Sequence, residues 1–214
     1  HYAKLAADCR ALDIPPPDEE ALRADTRLVT SYLPDCVLRI TITRGSGGRG
    51  YALPTAITPR RVVTASALPK YPADYAVRGV TVRYCALRLA AQPRLAGIKH
   101  LNRLENVLAR AEWNDPEVAE GLLCDETGAV IEGTRSNLFM VEKGELFTPD
   151  LSRCGVSGVT RETIFELAQE HGIACRTDTI SRERLQQADE IMLVNSVIGI
   201  WPVARLEQRV WIQF

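Results

Sequence analysis

Two runs in the second half of this 214-residue chain constrain its fold most. "AEGLLCDETGAVIEG" (119–133) reads as strand, Asp-Glu-Thr-Gly turn, strand, and "SNLFMVEKGELFTP" (136–149) as strand, Lys-Gly turn, strand. A tight turn between two apolar runs brings their backbone N–H and C=O groups together, and pairing across the turn satisfies them. Both segments are therefore expected to form antiparallel hairpins. Further strands are expected elsewhere. "CVLRITITR" (36–44) alternates with period two, setting Leu38, Ile40 and Ile42 against Val37, Arg39, Thr41 and Thr43. "RRVVTAS" (60–66) and "RGVTVRYC" (78–85) are rich in β-branched residues, and "ADEIMLVNSVIGIWPV" (188–203) reads as a buried strand leading into a loop.

Helices alternate with these strands. Residues 1–13 place Tyr2, Leu5, Ala6, Cys9 and Leu12 on one face. "IPPPDEE" stops that helix, and Asp18 caps a second over 18–33. A third is expected to open at His100, with Ile98, Leu101, Leu104, Val107, Leu108 and Ala111 as its apolar stripe. A fourth, "TRETIFELAQEHG" (160–172), ends at Gly172. The expected architecture is mixed α+β and α/β in two domains. A small α+β domain covers 1–90, "AQPRLAG" (91–97) is the linker, and a larger strand-rich domain covers 98–214. The chain opens at His1 already in helical register and stops abruptly at "RVWIQF", so both ends are expected to be cut or unseen.

Charge and cysteine usage narrow the function classes. The net charge is −1 and no basic run or aromatic-basic stripe occurs, which argues against nucleic acid as a partner. No apolar stretch is long enough to span a membrane. The six cysteines are scattered, without Cys-x-x-Cys or His at metal spacing, which argues against zinc and for a reduced, cytoplasmic protein.

Of the 26 basic residues, only Lys4, Lys70, Lys99 and Lys143 are lysines. Where a chain writes Arg almost everywhere, a Lys at a junction raises the question of what an amine does there. Lys99 follows Gly97 and Ile98 just before an apolar helix, where partial burial is expected. An amine shielded from water can lose its proton, attack an aldehyde and act as a base, which a guanidinium cannot. The alternative is a cation snorkelling over an apolar helix.

Four other segments carry candidate chemistry. In "VIEGTRSNLFMV" (130–141), Glu132 closes a strand, either facing a pocket or as a surface acid. In "GVSGVTRETIFELAQ" (155–169), glycines frame Ser157 ahead of a helix start at Thr160, which offers either an anion site or a plain N-cap. In "LVNSVIG" (193–199), Asn195 and Ser196 interrupt an apolar strand end. In "TRGSGGRGY" (43–51), two arginines flank a flexible loop; Arg grips carboxylates bidentately, while the loop is equally readable as a mobile hairpin tip. Together these supply an amine, a carboxylate, a phosphate cradle and a carboxylate-binding Arg, which is what a pyridoxal-phosphate enzyme needs.

"GIKHLNRLENVLAR", "IEGTRSN", "GVTRE" and "LVNS", in this order and spacing, resemble the fold-type IV, or class IV, pyridoxal-phosphate aminotransferases across essentially the whole chain. Within that family, "KHLNRLENVL" and "TRGSGGRGY" are most similar to the lyases acting on 4-amino-4-deoxychorismate. The resemblance implies a two-domain fold with a strand-rich pseudo-barrel, pyridoxal 5'-phosphate as cofactor, and a homodimer. It implies that Lys99 holds the cofactor through a Schiff base and acts as general base. Glu132 would pair with the pyridine nitrogen, and Val159 and Thr160 would bind phosphate, with Ser196 and its neighbour Asn195 completing the cup. Arg49 would hold the substrate carboxylate. The family places an Arg in its "H-x-x-R-L" helix where this chain has Lys4, a point charge without the fork. It also places strands lining the substrate pocket ahead of His1. The implied activity is elimination of pyruvate from aminodeoxychorismate to give 4-aminobenzoate, a step of folate synthesis. A transaminase of D-amino or branched-chain amino acids is the alternative, and a cofactor-free binding protein on the same fold a remote one.

Overall fold

The structure, a computed structural model, describes residues 1–212. It divides into two compact units, His1–Lys70 and a second beginning at Tyr71.

The first unit holds two helices and a two-stranded sheet. Helix α1 (Tyr2–Ala11) buries Ala6 and Cys9 on the face set by their spacing. Helix α2 (Glu19–Tyr32) starts at Asp18, whose carboxylate accepts the Ala21 N–H. This satisfies one of the open donors of the first turn. Strands β1 (Cys36–Thr43) and β2 (Arg60–Ala67) pair antiparallel from Cys36↔Ala67 to Thr43↔Arg60.

The second unit is built on a nine-stranded mixed sheet. Its strands are β3 (Val80–Leu89), β4 (Val118–Asp125), β5 (Val130–Gly133), β6 (Asn137–Glu142), β7 (Glu145–Pro149), β8 (Cys175–Asp178), β9 (Glu190–Asn195), β10 (Gly199–Leu206) and β11 (Arg209–Val210). The spatial order is β5-β4-β3-β10-β9-β6-β7-β8, with β11 added to β10. Both predicted hairpins form, as β4–β5 and β6–β7. The sheet curls until its ends meet: Val130 of β5 donates its N–H to the carbonyl of Ile180, just beyond β8, at 2.8 Å. One large core cluster includes Val80, Val82, Leu122, Leu138, Leu193 and Val203. A second includes Leu123, Ile131, Leu151, Ala109 and Trp113. Neighbouring Leu122 and Leu123 thus serve different clusters, which is why "GLLC" is an unbroken apolar run rather than an alternating one.

Two features differ from the sequence expectation. Strand β3, expected in a first domain ending at residue 90, pairs in parallel with β4 and with β10 and belongs to the second unit. The break between units therefore falls after Lys70, ahead of the 91–97 linker expected from composition. The helix expected to open at His100 is α4 (Leu104–Arg110) and starts later: 98–103 is irregular, with Arg103 bonded back to the carbonyls of Ile98 and His100. Its stripe is not a core face: Leu101, Leu104, Val107 and Leu108 are all more than half exposed. Short helices α3 (Tyr75–Arg78) and α6 (Arg182–Gln187) and the longer α5 (Val159–Glu170) complete the unit.

At the bulge of β3 between Tyr84 and Arg88, and just past the strand's end, carboxylates take the place of strand partners. Glu112 accepts the N–H groups of Ala86 (2.7 Å) and Leu87 (2.8 Å), Glu105 that of Ala90, and Glu126 that of Ala91. No described helix is long and apolar enough to cross a membrane.

Candidate active site

The sequence candidates in the second unit gather on three segments: the turn after Gly97, the end of β5, and the start of α5 with the loop after β9.

Gly97 anchors the first segment. Its N–H donates to Gly155 O and its C=O accepts the Ser157 N–H, both at 3.0 Å. Its φ of +73° lies in the left-handed region that a Cβ disfavours. Ile98 is buried, whereas Lys99 is exposed. The partial burial expected of Lys99 is therefore not met: Ile98 takes the inward position and the next side chain leaves the core. Arg103 Nη2 donates to Ile98 O at 2.6 Å and its Nε to His100 O at 3.2 Å.

Glu132 is only 3% exposed, so it is no surface hairpin acid. Its backbone pairs with Leu123 across the hairpin. One carboxylate oxygen accepts the Val156 N–H at 2.8 Å, and the Asn106 amide, which donates to Thr134 O at 3.0 Å, lies close enough to favour the ionised form. Burial pushes its acid strength down, to a pKa of about 7, against the opposing pull of the Val156 N–H, Arg103, Lys99 and Asn106. A buried carboxylate held this way is poised for one more cationic N–H partner, which would hold it ionised.

The third segment is the candidate anion site. Helix α5 opens at Gly158 with no side-chain cap, so Val159 and Thr160 stand in its first turn without a carboxylate or hydroxyl bonded to the helix start. The helix dipole and uncapped amides favour an anion there. Thr160 Oγ1 lies 3.2 Å from Ser196 Oγ, which pairs two hydroxyls at the same place. Asn195 stands differently from the expectation that it completes a cup. Its Nδ2 donates to Arg135 O, and its Oδ1 accepts the Val197 and Ile198 N–H groups. Its side chain is thus committed to shaping the loop that presents Ser196.

Several residues that sequence reasoning passed over hold these parts together. Asn137 Oδ1 accepts the Gly158 N–H at 3.1 Å, and its Nδ2 donates to Val156 O at 2.7 Å. Glu120, buried, accepts both the N–H and hydroxyl of Thr134 and the hydroxyl of Ser136, fixing the turn between Glu132 and Asn137. Arg161, also buried, donates to Thr148 Oγ1, Pro149 O and Glu162. This docks the first turn of α5 onto β7. The available signal was polar residues inside apolar runs, Asn137 at the head of "NLFMV" and Glu120 before "GLLC".

Lys4 and Arg49 belong to the first unit. Lys4 ion-pairs with Asp8 one helical turn on, at 2.5 Å. Arg49 is exposed in the loop between β1 and β2.

Within the second unit the donor set is an amine, a buried carboxylate seeking a cation, and an uncapped helix start with two hydroxyls. It fits a phosphorylated, aldehyde-bearing nitrogen heterocycle. Among the described residues no cluster of His, Cys, Asp and Glu could hold a metal ion.

Comparison with known proteins agrees with this chemistry. The family model for amino-transferase class IV matches residues 1–206. Aminodeoxychorismate lyase of Vibrio harveyi is 35% identical over 204 residues, which is 95% of this chain and 75% of that protein. The crystal structure of 4-amino-4-deoxychorismate lyase from Pseudomonas aeruginosa matches with a TM-score of 0.94 and 47% identity, covering 99% of this chain and 78% of that one. Branched-chain amino acid aminotransferase from Escherichia coli matches with a TM-score of 0.83 and 26% identity, covering 100% of this chain and 70% of that one. The chain belongs to the class IV aminotransferase family.

Proposed function

We propose that the protein is a pyridoxal 5'-phosphate-dependent lyase that converts 4-amino-4-deoxychorismate to 4-aminobenzoate and pyruvate. The observation that carries this reading is the 47% identity and TM-score of 0.94 to the Pseudomonas aeruginosa lyase. Lys99 would hold the cofactor through its amine, Glu132 would face its ring nitrogen, and Val159, Thr160 and Ser196 would bind its phosphate. When bound, pyridoxal phosphate supplies an aldehyde that condenses with amines and a ring that stabilises negative charge beside the nitrogen.

The chain's own groups do the rest. Glu132 would hold a proton on the ring nitrogen of the bound group and would itself be kept ionised by that N–H. Lys99 Nζ takes the proton from the substrate carbon that bears the amine, as general base. The C–H bond breaks, the neighbouring C–O bond to the enolpyruvyl group breaks with its electron pair, and the six-membered ring becomes aromatic. The departing enolpyruvate takes a proton at its methylene, delivered from Lys99, and becomes pyruvate.

The same site could run transamination, a reading favoured by the match to the Escherichia coli aminotransferase. Mixing the cofactor-loaded protein with D-amino or branched-chain amino acids separates the two. A lyase leaves the cofactor spectrum in its aldehyde-derived form, whereas full conversion to the amine form overturns the lyase reading. Borohydride reduction should fix the cofactor on the peptide carrying Lys99. We further propose a homodimer: exposed Leu101, Leu104, Val107 and Leu108 give a second copy an apolar surface to cover.

A further inference from the structure

Arg103 is the N-cap residue of α4, four residues beyond Lys99. Two of its nitrogens bond the carbonyls of Ile98 and His100, the residues on either side of Lys99 in the chain. A planar fork with donors in fixed geometry can hold two carbonyls at once; a lysine ammonium on a flexible stem lacks that geometry. The same guanidinium acts on the buried Glu132 carboxylate.

We propose that Arg103 is a positioning residue that sets both working groups of the site: its fork fixes the segment that presents Lys99, and its charge supports the Glu132 carboxylate. The inference rests on the proposed function in taking Lys99 and Glu132 as the working pair. The groups around Glu132 allow the assignment. Besides Arg103 they are the Lys99 ammonium, the neutral Val156 N–H and Asn106 amide, and the Cys154 thiol, which burial holds protonated to about 12. Among the described residues Lys99 shares with Arg103 the role of countercharge, and Lys99 is exposed, so its field is weakened by water.

The two roles separate experimentally. Carboxyl-labelled glutamate in the full cofactor-free chain gives the Glu132 titration by carbon NMR, assigned by its loss in Glu132→Gln. Hydrogen exchange of amides 97–102 reads the hold on the Lys99 segment. Arg103→Gln should raise the Glu132 midpoint by about one pH unit and speed the exchange. Arg103→Lys should leave the midpoint near wild type yet speed the exchange, because charge is kept and the fork is lost. An unmoved midpoint in the Gln variant, or slow exchange in the Lys variant, overturns the proposal. If the Gln variant fails to fold, the Lys variant decides alone: a midpoint displaced by about a unit, or slow exchange, overturns it. Neither readout needs bound cofactor, so failure to bind pyridoxal phosphate would overturn the cofactor reading separately.

Discussion

Glu132 accepts the backbone N–H of Val156 at 2.8 Å, and Val156 stands two residues ahead of Gly158, the N-cap of α5. One hydrogen bond therefore ties the buried acid to the loop that leads into the anion site. A cofactor with a basic nitrogen at one end and a phosphate at the other needs that spacing held constant, and the chain holds it through backbone rather than long side chains.

The first consequence is a pH dependence of stability. In the folded chain Glu132 titrates at about 7, against an ordinary value of 4.5. Between those values the folded chain keeps a proton that the unfolded chain has lost. Stability from this group is complete below about 4.5 and falls away as pH rises to about 7, by roughly 3 kcal/mol. Denaturant melts of the cofactor-free protein should show this slope, and Glu132→Gln should remove it. Saturating pyridoxal phosphate should flatten it in the wild type, since a cationic ring nitrogen supports the ionised carboxylate.

Asn137→Ala removes the acceptor for Gly158 N–H and the donor for Val156 O together. Leaving two shielded backbone groups unpaired should cost about 3 kcal/mol. Cofactor affinity should fall alongside, because the anion site and the Glu132 partner move together. Urea melts and cofactor titration by fluorescence check both.

Gly155→Ala tests how tightly the loop is packed. Gly155 has φ +85°, and a Cβ there would stand 2.8 Å from both Ile131 Cγ2 and Leu151 Cδ2 and 3.4 Å from Glu132 Oε2. Backbone strain and overpacking should destabilise the chain by about 2–4 kcal/mol. Thermal melts of the variant read this directly.

Replacing both Leu104 and Leu108 with Glu should leave the fold intact, since both are exposed in the single chain. It should split the proposed dimer into monomers in sedimentation velocity. Unchanged sedimentation would show that another surface joins the copies.

Local sequence signals made most elements legible. Asp18 marked the start of α2, and the two tight turns marked their hairpins. What sequence could not reveal were relationships made at a distance. The placement of β3 depends on parallel pairing with β4 and β10, which leaves no trace in its own alternation. The delayed start of α4 depends on where the Arg103 fork reaches. Of the expected stripe only Leu104, Val107 and Leu108 lie on α4, with Ile98 and Leu101 ahead of it, and periodicity does not say whether such residues meet a core or another molecule. For the candidate site, residue type singled out Lys99 and Glu132 but not Asn137, Glu120 and Arg161, because the role of these three is a set of partners in space. Asn195 was noticed for being polar, but its side chain serves the loop.

The most direct test of the account is product formation from 4-amino-4-deoxychorismate by the cofactor-loaded chain, with Lys99→Arg as the paired variant. The wild type should release 4-aminobenzoate and pyruvate in equal amounts, and the variant, which keeps the charge but not the amine chemistry, should release neither. Failure of the loaded wild type to form 4-aminobenzoate, or sustained turnover by the Arg variant, would contradict it.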